Sequence, residues 1–233
     1  MNKFEVLAFA REIKAYAEEK GGINSVPVGI YAKACDITKS LEEEINKENN
    51  KKNGKSNLEK AMKAVISEAS KTGRTNILGA WIKDGVQYVC DTYRIIANKN
   101  PIDIISVPDD VPKMPLENFL ANAKETCIYE IKLPSIAELK NGIKLEKEKA
   151  KVQNYYKSSN KRVKYIDKEQ KLSFNAQYLV DILTAVGDNY KAYVNRNAMD
   201  NAMLMYIVND DVECLVLCIN IAYDNLETGY YLD

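Results

Sequence analysis

Leu172-Ser173-Phe174-Asn175-Ala176-Gln177-Tyr178-Leu179-Val180-Asp181-Ile182-Leu183 is the stretch on which the fold turns. Phe174, Tyr178, Leu179, Ile182, Leu183 and Val186 recur at helical spacing, so one side of an amphipathic helix is apolar, and Gly187 supplies its stop. Three runs with strand character follow, at 190–195, 202–208 and 212–221, with Asn209-Asp210-Asp211 as the turn between the last two. Residues 224–233 read as a polar tail.

The same arrangement occurs earlier in the chain. Ser56 is a good N-cap for a helix over 58–71, with Leu58, Met62, Val65, Ile66 and Ala69 on its apolar side. A strand is expected over 76–82, then a turn at Lys83-Asp84-Gly85 and a second strand over 86–90, since Asp-Gly between apolar runs is a hairpin signal. Another short strand, 94–98, ends before Pro101. Each half is thus one helix followed by antiparallel strands. Such a unit leaves a sheet face and a helix stripe uncovered, and two units solve this by joining sheets and pairing helices. The expected class is α+β, with two helix-plus-antiparallel-strands repeats over 56–223.

Ahead of the repeats, residues 4–19 predict a helix, with Phe4, Leu7, Ala8, Ile13 and Ala17 sharing a face and Gly21-Gly22 ending it. A second helix is expected over 31–45. Residues 46–56 are Asn, Lys and Glu with one Gly, and read as a flexible linker. Residues 1–55 are therefore expected to be a helical extension plus linker. Between the repeats, Pro108, Pro112 and Pro115 punctuate a loop, 116–124 predicts a short helix, and 127–133 alternates like a strand. Pro134 is placed to start a helix with Ile136, Leu139 and Ile143 inward. From Lys140 to Lys164 there are nine basic residues and two acidic ones. That segment reads either as a solvated helix tail and loop or as a phosphate-contacting arm.

Composition narrows the chemistry. Hydrophobic residues make up 46% of the 233, enough for one large domain or two small ones. Lys+Arg and Asp+Glu are equal at 33, which argues against a protein that coats nucleic acid through bulk charge. No apolar stretch reaches the roughly 18 residues of a membrane span, and no signal-peptide pattern is expected at the N-terminus. Cys35, Cys90, Cys127, Cys214 and Cys218 contain no CxxC pair, so a reducing cytoplasm without disulfides is expected. The chain has no histidine. Ser-His-Asp and Cys-His nucleophile systems, and His-based metal sites, are excluded in their usual forms. No phosphate-binding or dinucleotide Gly-rich loop is present, so no cofactor, resident metal or catalytic residue is expected.

The opening stretch resembles the last helix of the bacterial sliding clamp, the β subunit of DNA polymerase III, whose pattern is Phe-Asn-x-x-Tyr-Leu-x-Asp-x-Leu. The three strand runs after it fit as well, although Cys218-Ile219-Asn220 stands where clamps usually end in Met-Pro and an Arg. The segment from Asp84-Gly85 to Ile95 is similar to the clamp pattern "Asp-Gly, strand, Thr-Asp-Gly-His-Arg-Leu". It keeps Asp91 and Arg94 and carries Thr92-Tyr93 in place of Gly-His. Ile131-Lys132-Leu133-Pro134-Ser135-Ile136-Ala137-Glu138-Leu139-Lys140 looks like part of short clamp-like proteins in Firmicutes and their phages. The resemblance spans about 57–221 and leaves the first 55 residues aside.

The resemblance implies a non-catalytic protein of DNA replication whose partners are DNA, held weakly or topologically, and polymerase or other replication proteins, with no membrane. It implies that helices face DNA, which points to Lys60, Lys63, Lys71 and Arg74. It implies a peptide-binding groove, which carries over to Tyr93, Arg94, Ile95, Leu215 and Leu217. Read without the resemblance, the four cations fit an ordinary charged helix face, and the groove residues fit a sheet core. Two repeats amount to about one clamp domain, so a monomer or dimer is expected over a closed ring. Two rivals stand beside this. One is a clamp-derived adaptor that binds protein only. The other is a Mg²⁺ nuclease, because Pro108-Asp109 and Glu130-Ile131-Lys132 fit the pattern PD…(D/E)xK, whose carboxylates bind metal and whose Lys orients water.

Overall fold

The computed structural model describes residues 3–19, 28–52, 55–152, 163–219 and 229–232. The chain divides into two units, Met1–Ser56 and Asn57–Asp233. The first is a hairpin of α1 (Lys3–Glu19) and α2 (Val28–Lys52). Leu7, Ala10, Ala17 and Ala34 are buried in it, three of the four being alanines. Arg11 donates to Glu42 Oε1 at 2.7 Å, and Lys3 pairs with Glu48, so the helices run antiparallel. Two expectations change. Phe4 and Ala8 are exposed rather than inward. The segment expected as a linker over 46–56 is mostly a continuation of α2, because Glu and Lys are good helix formers and Glu48 is tied to α1. Gly21-Gly22 lie outside the described residues.

The second unit is α+β. It contains α3 (Ser56–Ala69), two short 3-10 turns, β1 (Trp81–Lys83), β2 (Val86–Cys90), β3 (Arg94–Asn98), α4 (Leu116–Thr126), β4 (Tyr129–Glu130) and α5 (Ile136–Val152). It continues with β5 (Val163–Asp167), β6 (Leu172–Asn175), α6 (Ala176–Val186), β7 (Lys191–Arg196), β8 (Ala202–Val208), β9 (Val212–Leu217) and β10 (Gly229–Leu232). Seven strands form an antiparallel sheet in the order β1-β2-β3-β9-β8-β7-β4, and a smaller sheet has the order β10-β5-β6. The large sheet is two meanders, β1-β2-β3 and β7-β8-β9, joined where β3 pairs antiparallel with β9, Ile95 opposite Leu215 and Arg94 opposite Val216. Each meander is preceded by a helix, α3 or α6.

Strand alternation separates two cores. Val89, Ile96, Cys214, Val216, Met205, Ile207, Ala192 and Val194 point to one face, where they pack with Met62 and Val65 of α3, Leu139 and Ile143 of α5, and Leu179, Ile182 and Leu183 of α6. Tyr88, Cys90, Ile95, Ala97, Tyr206 and Leu215 point to the other, covered by Leu116, Leu120 and Ala123 of α4 with Trp81 and Val107. So α3, α5 and α6 lie on one face of the sheet and α4 on the opposite face.

Local chemistry explains most boundaries. Asp84 and Gly85 both take positive φ, 51° and 78°, and close the two-residue β1–β2 turn that Asp-Gly favours. Asn175 caps α6 by accepting from Gln177 N–H at 3.0 Å. Asn209 accepts from Asp211 and Val212 N–H at 2.9 and 2.6 Å, forming the β8–β9 turn. Elsewhere the expectations shift. Residues 76–82 are a strand only from Trp81, after a 3-10 turn at Thr75–Ile77. The strand over 127–133 shrinks to two residues. α5 starts at Ile136, not Pro134, because Ser135 and Glu138 form a capping box: Ser135 N–H donates to Glu138 Oε2 at 2.7 Å and Glu138 N–H to Ser135 Oγ at 3.2 Å. Phe174 lies in β6 rather than in the helix, its ring stacked 5.1 Å from that of Tyr165. Part of the expected polar tail is β10, whose Tyr230 packs on α5 at Gly142, where a Cβ would overlap the ring.

Candidate functional site

The turn between β2 and β3 is built on Asp91. Its Oδ1 accepts from the backbone N–H of Tyr93 at 3.0 Å and of Arg94 at 2.7 Å, which fixes the bend that turns the chain into β3. Thr92 sits within it at φ 78°, a strained value for a β-branched residue. Arg94 then enters the α3/α6 face and is fully enclosed. Its Nη2 and Nε meet Asp91 Oδ2 at 2.7 and 2.8 Å, and its Nη1 meets Asp181 Oδ2 of α6 at 2.5 Å. The Tyr178 ring lies 4.0 Å from the guanidinium carbon, a cation–π contact. Side-chain exposure is 1% for Arg94 and 0% for Asp91, so removing the cation would leave a buried carboxylate uncompensated. Asp91, Tyr178 and Asp181 all stand in the stretches that carry the resemblance, but the sequence assigned none of them to a site. The spacing of Asp91 and Arg94 is a recognisable turn-plus-pair signal, but Asp181 is 87 residues from Arg94 and nothing local links them.

The five residues implicated as a groove do come together. Tyr93 carbonyl oxygen accepts from Leu217 N–H at 3.0 Å, and Ile95 stands opposite Leu215. Their accessibility divides them, however. Arg94, Ile95 and Leu215 are buried, the first in the ion network and the other two beneath α4, while Tyr93 and Leu217 are 45% and 47% exposed. Of the five, Tyr93 and Leu217 present surface, with the Tyr93 ring 6.0 Å from Tyr178.

Lys60, Lys63, Lys71 and Arg74 are all exposed. Lys60 and Lys63 are on α3; Lys71 lies in the following 3-10 turn and Arg74 beyond it. Two of them are matched locally: Lys63 to the buried Glu59 and Lys71 to Glu68, each at 2.6 Å. Pairs of this kind lower the charge offered to a phosphate. α6, the helix of the motif, carries no Lys or Arg and is buried along most of its length.

The nuclease pattern is not assembled. Val107, two residues before Asp109, bonds Ala80 beside β1, whereas Glu130 is in β4 at the opposite edge of the sheet. Among the described residues, no group of three or more acidic, Cys or His side chains is placed to hold a metal. The cysteines are free thiols. Burial pushes Cys90 up to about 11 and Cys218 up to about 12, and raises Cys127 and Cys214 as well, the opposite of nucleophile activation. Among the described residues no helix is long and apolar enough to cross a membrane.

No protein-family model matches the sequence, and no curated protein matches it. Among solved structures, DNA polymerase III subunit beta from Borrelia burgdorferi, in complex with a natural product, aligns with 71% of this chain at 12% identity and a TM-score of 0.31. The chain spans 63% of that protein's length, and the likeness is a weak link at the level of the fold.

Proposed function

We propose that this chain is a non-catalytic, clamp-like tether of DNA replication that holds duplex DNA or a polymerase in the cytoplasm. The observation that supports this reading is the doubled unit: two helix-plus-three-strand meanders meeting at β3 and β9, with both leading helices on one face. It is the arrangement that the resemblance of residues 172–183 and 84–95 implies. DNA is taken by the helical face, where the resemblance implicates Lys60, Lys63, Lys71 and Arg74, although Lys63 and Lys71 are paired with carboxylates of α3. A protein partner is met at the β3–β9 end of the sheet through Tyr93 and Leu217, with Arg94, Ile95 and Leu215 supporting them from beneath. No substrate is transformed and no cofactor is required.

A tether that does not close a ring is favoured by the sheet edges. β1 has three residues and β4 two, too short to bond a neighbouring copy over a useful length. The same observation favours a second reading, an adaptor that binds protein alone. Light scattering of the purified chain, with and without a short duplex, separates them. A monomer or dimer whose mass rises by one duplex supports the tether. A mass unchanged by DNA at low salt points to the adaptor, and a stable hexamer overturns the open form.

A further inference from the structure

We infer that the chain binds the phosphate backbone of duplex DNA mainly through a lysine row on α5, rather than through α3. This rests on the tether reading. Lys140, Lys144, Lys147 and Lys151 follow one another at intervals of four, three and four residues, which stacks them on one stripe of the helix. All four are exposed. The row spans eleven residues, about 16 Å at 1.5 Å per residue, long enough to meet several phosphates along a duplex.

What separates this row from the α3 cations is the fate of the nearby carboxylates. On α3, Glu59 and Glu68 are turned onto Lys63 and Lys71. On α5, Glu138 is spent on the Ser135 cap, and Glu146 is paired at 2.7 Å with Lys149, which lies on another side of the helix. Glu148, the remaining carboxylate of α5, stands four positions after Lys144 and three before Lys151, beside the row, but among the described residues no ion pair ties it to either. Four lysines against one adjoining carboxylate leave the row a positive stripe. Its place is also apt. α5 packs on α6 and buries Leu139 and Ile143 in the core shared with α3. α6 has no cation of its own, so α5 supplies the basic surface of that half of the helical layer. Lysines without interleaved aromatics or arginine forks suit backbone contact and offer no base reading.

The test is fluorescence anisotropy of the full chain with duplexes of unrelated sequence, titrated with salt. Four phosphate contacts give a slope of about −3.6 in log affinity against log salt, so affinity falls about a hundredfold between about 50 and about 200 mM. Lys140, Lys144, Lys147 and Lys151 changed together to Gln, which keeps helix propensity, should abolish most of the binding and flatten the slope. Each single Lys→Gln change should lower the slope by about 0.9 and provides the same readout if the fourfold variant fails to fold. The Lys60/Lys63/Lys71→Gln variant should retain most of the affinity. Binding lost with the α3 variant and kept with the α5 variant overturns the inference and leaves the tether standing. Wild-type chain that ignores duplex at low salt overturns both. Capture by vesicles of anionic lipid in preference to duplex also overturns it, in favour of a membrane surface.

Discussion

The two meanders of the large sheet begin from the same plan and end differently. In the second, β7, β8 and β9 have six, seven and six residues, and α6 is enclosed by α5, the sheet and β5-β6. In the first, β1, β2 and β3 have three, five and five residues, and α3 keeps a charged side open to water. One half has become core and the other carries surface. The difference shows why a helix motif and an interaction surface need not coincide: the most clearly patterned helix of the sequence is the one with least surface to offer.

The ion network joins the halves, and breaking it should have the largest effect. Arg94 extends from β3 of the first meander to Asp181 on the helix of the second. Arg94→Ala should destabilise the chain by about 3–5 kcal/mol, since Asp91 is left buried and unpaired. Denaturant unfolding measures it. Asp181→Asn should cost less, because that carboxylate is partly exposed. Equal small losses for both would mean the halves are held by the β3–β9 ladder and apolar packing without help from the ion network.

Gly142→Ala tests how α5 is fixed over the second half. The added methyl meets the Tyr230 ring, and overpacking of this kind costs about 1–3 kcal/mol. Hydrogen exchange should quicken in β10 and in β5, its partner, and leave β1–β3 as in the parent.

Ser135→Ala removes the cap of the same helix and should cost about 1 kcal/mol at neutral pH. Bonds from Ser135 hold the Glu138 carboxyl below the usual carboxylate range. A group whose folded value is lowered contributes stability above its unfolded value and loses it as pH falls through the folded value. The gap between Ser135→Ala and the parent should therefore narrow as the solution is acidified below the ordinary range of a glutamate. A gap that widens on acidification would show that the cap acts without the carboxylate.

Thr92→Gly has the smallest expected effect and the opposite sign. Relief of the 78° φ should stabilise the chain by up to about 1 kcal/mol, partly offset by the greater freedom of glycine in the unfolded chain. The resembled clamp pattern has glycine at this place.

Much of the scaffold was legible because it rests on local signals. Gly187, Asp84-Gly85 and Asn209 each fix a helix stop or a turn within a few residues of themselves. β10 was hidden because it is four residues long in polar surroundings and is defined by its pairing with β5, far away in sequence. The continuation of α2 was hidden because Glu and Lys extend a helix without an apolar stripe to mark it. For the site, alternation placed Ile95 and Leu215 on one face of a sheet but could not say that α4 would cover that face. The charge pairing of Lys63 and Lys71 was equally unreadable, although Glu59 and Glu68 stand at suitable spacing for it. The lysine row of α5 was visible as a basic segment. Lys157, Lys161 and Arg162 of that segment lie outside the described residues.

The measurement that bears most directly on the central claim compares release from closed circular and linear plasmid as salt is raised. An open tether held by phosphate contacts should leave both at the same salt concentration, with the DNA uncut in magnesium. Retention on the circle after release from the linear form would show an encircling ring, and failure to bind either form, or cutting of the DNA, would contradict the account outright.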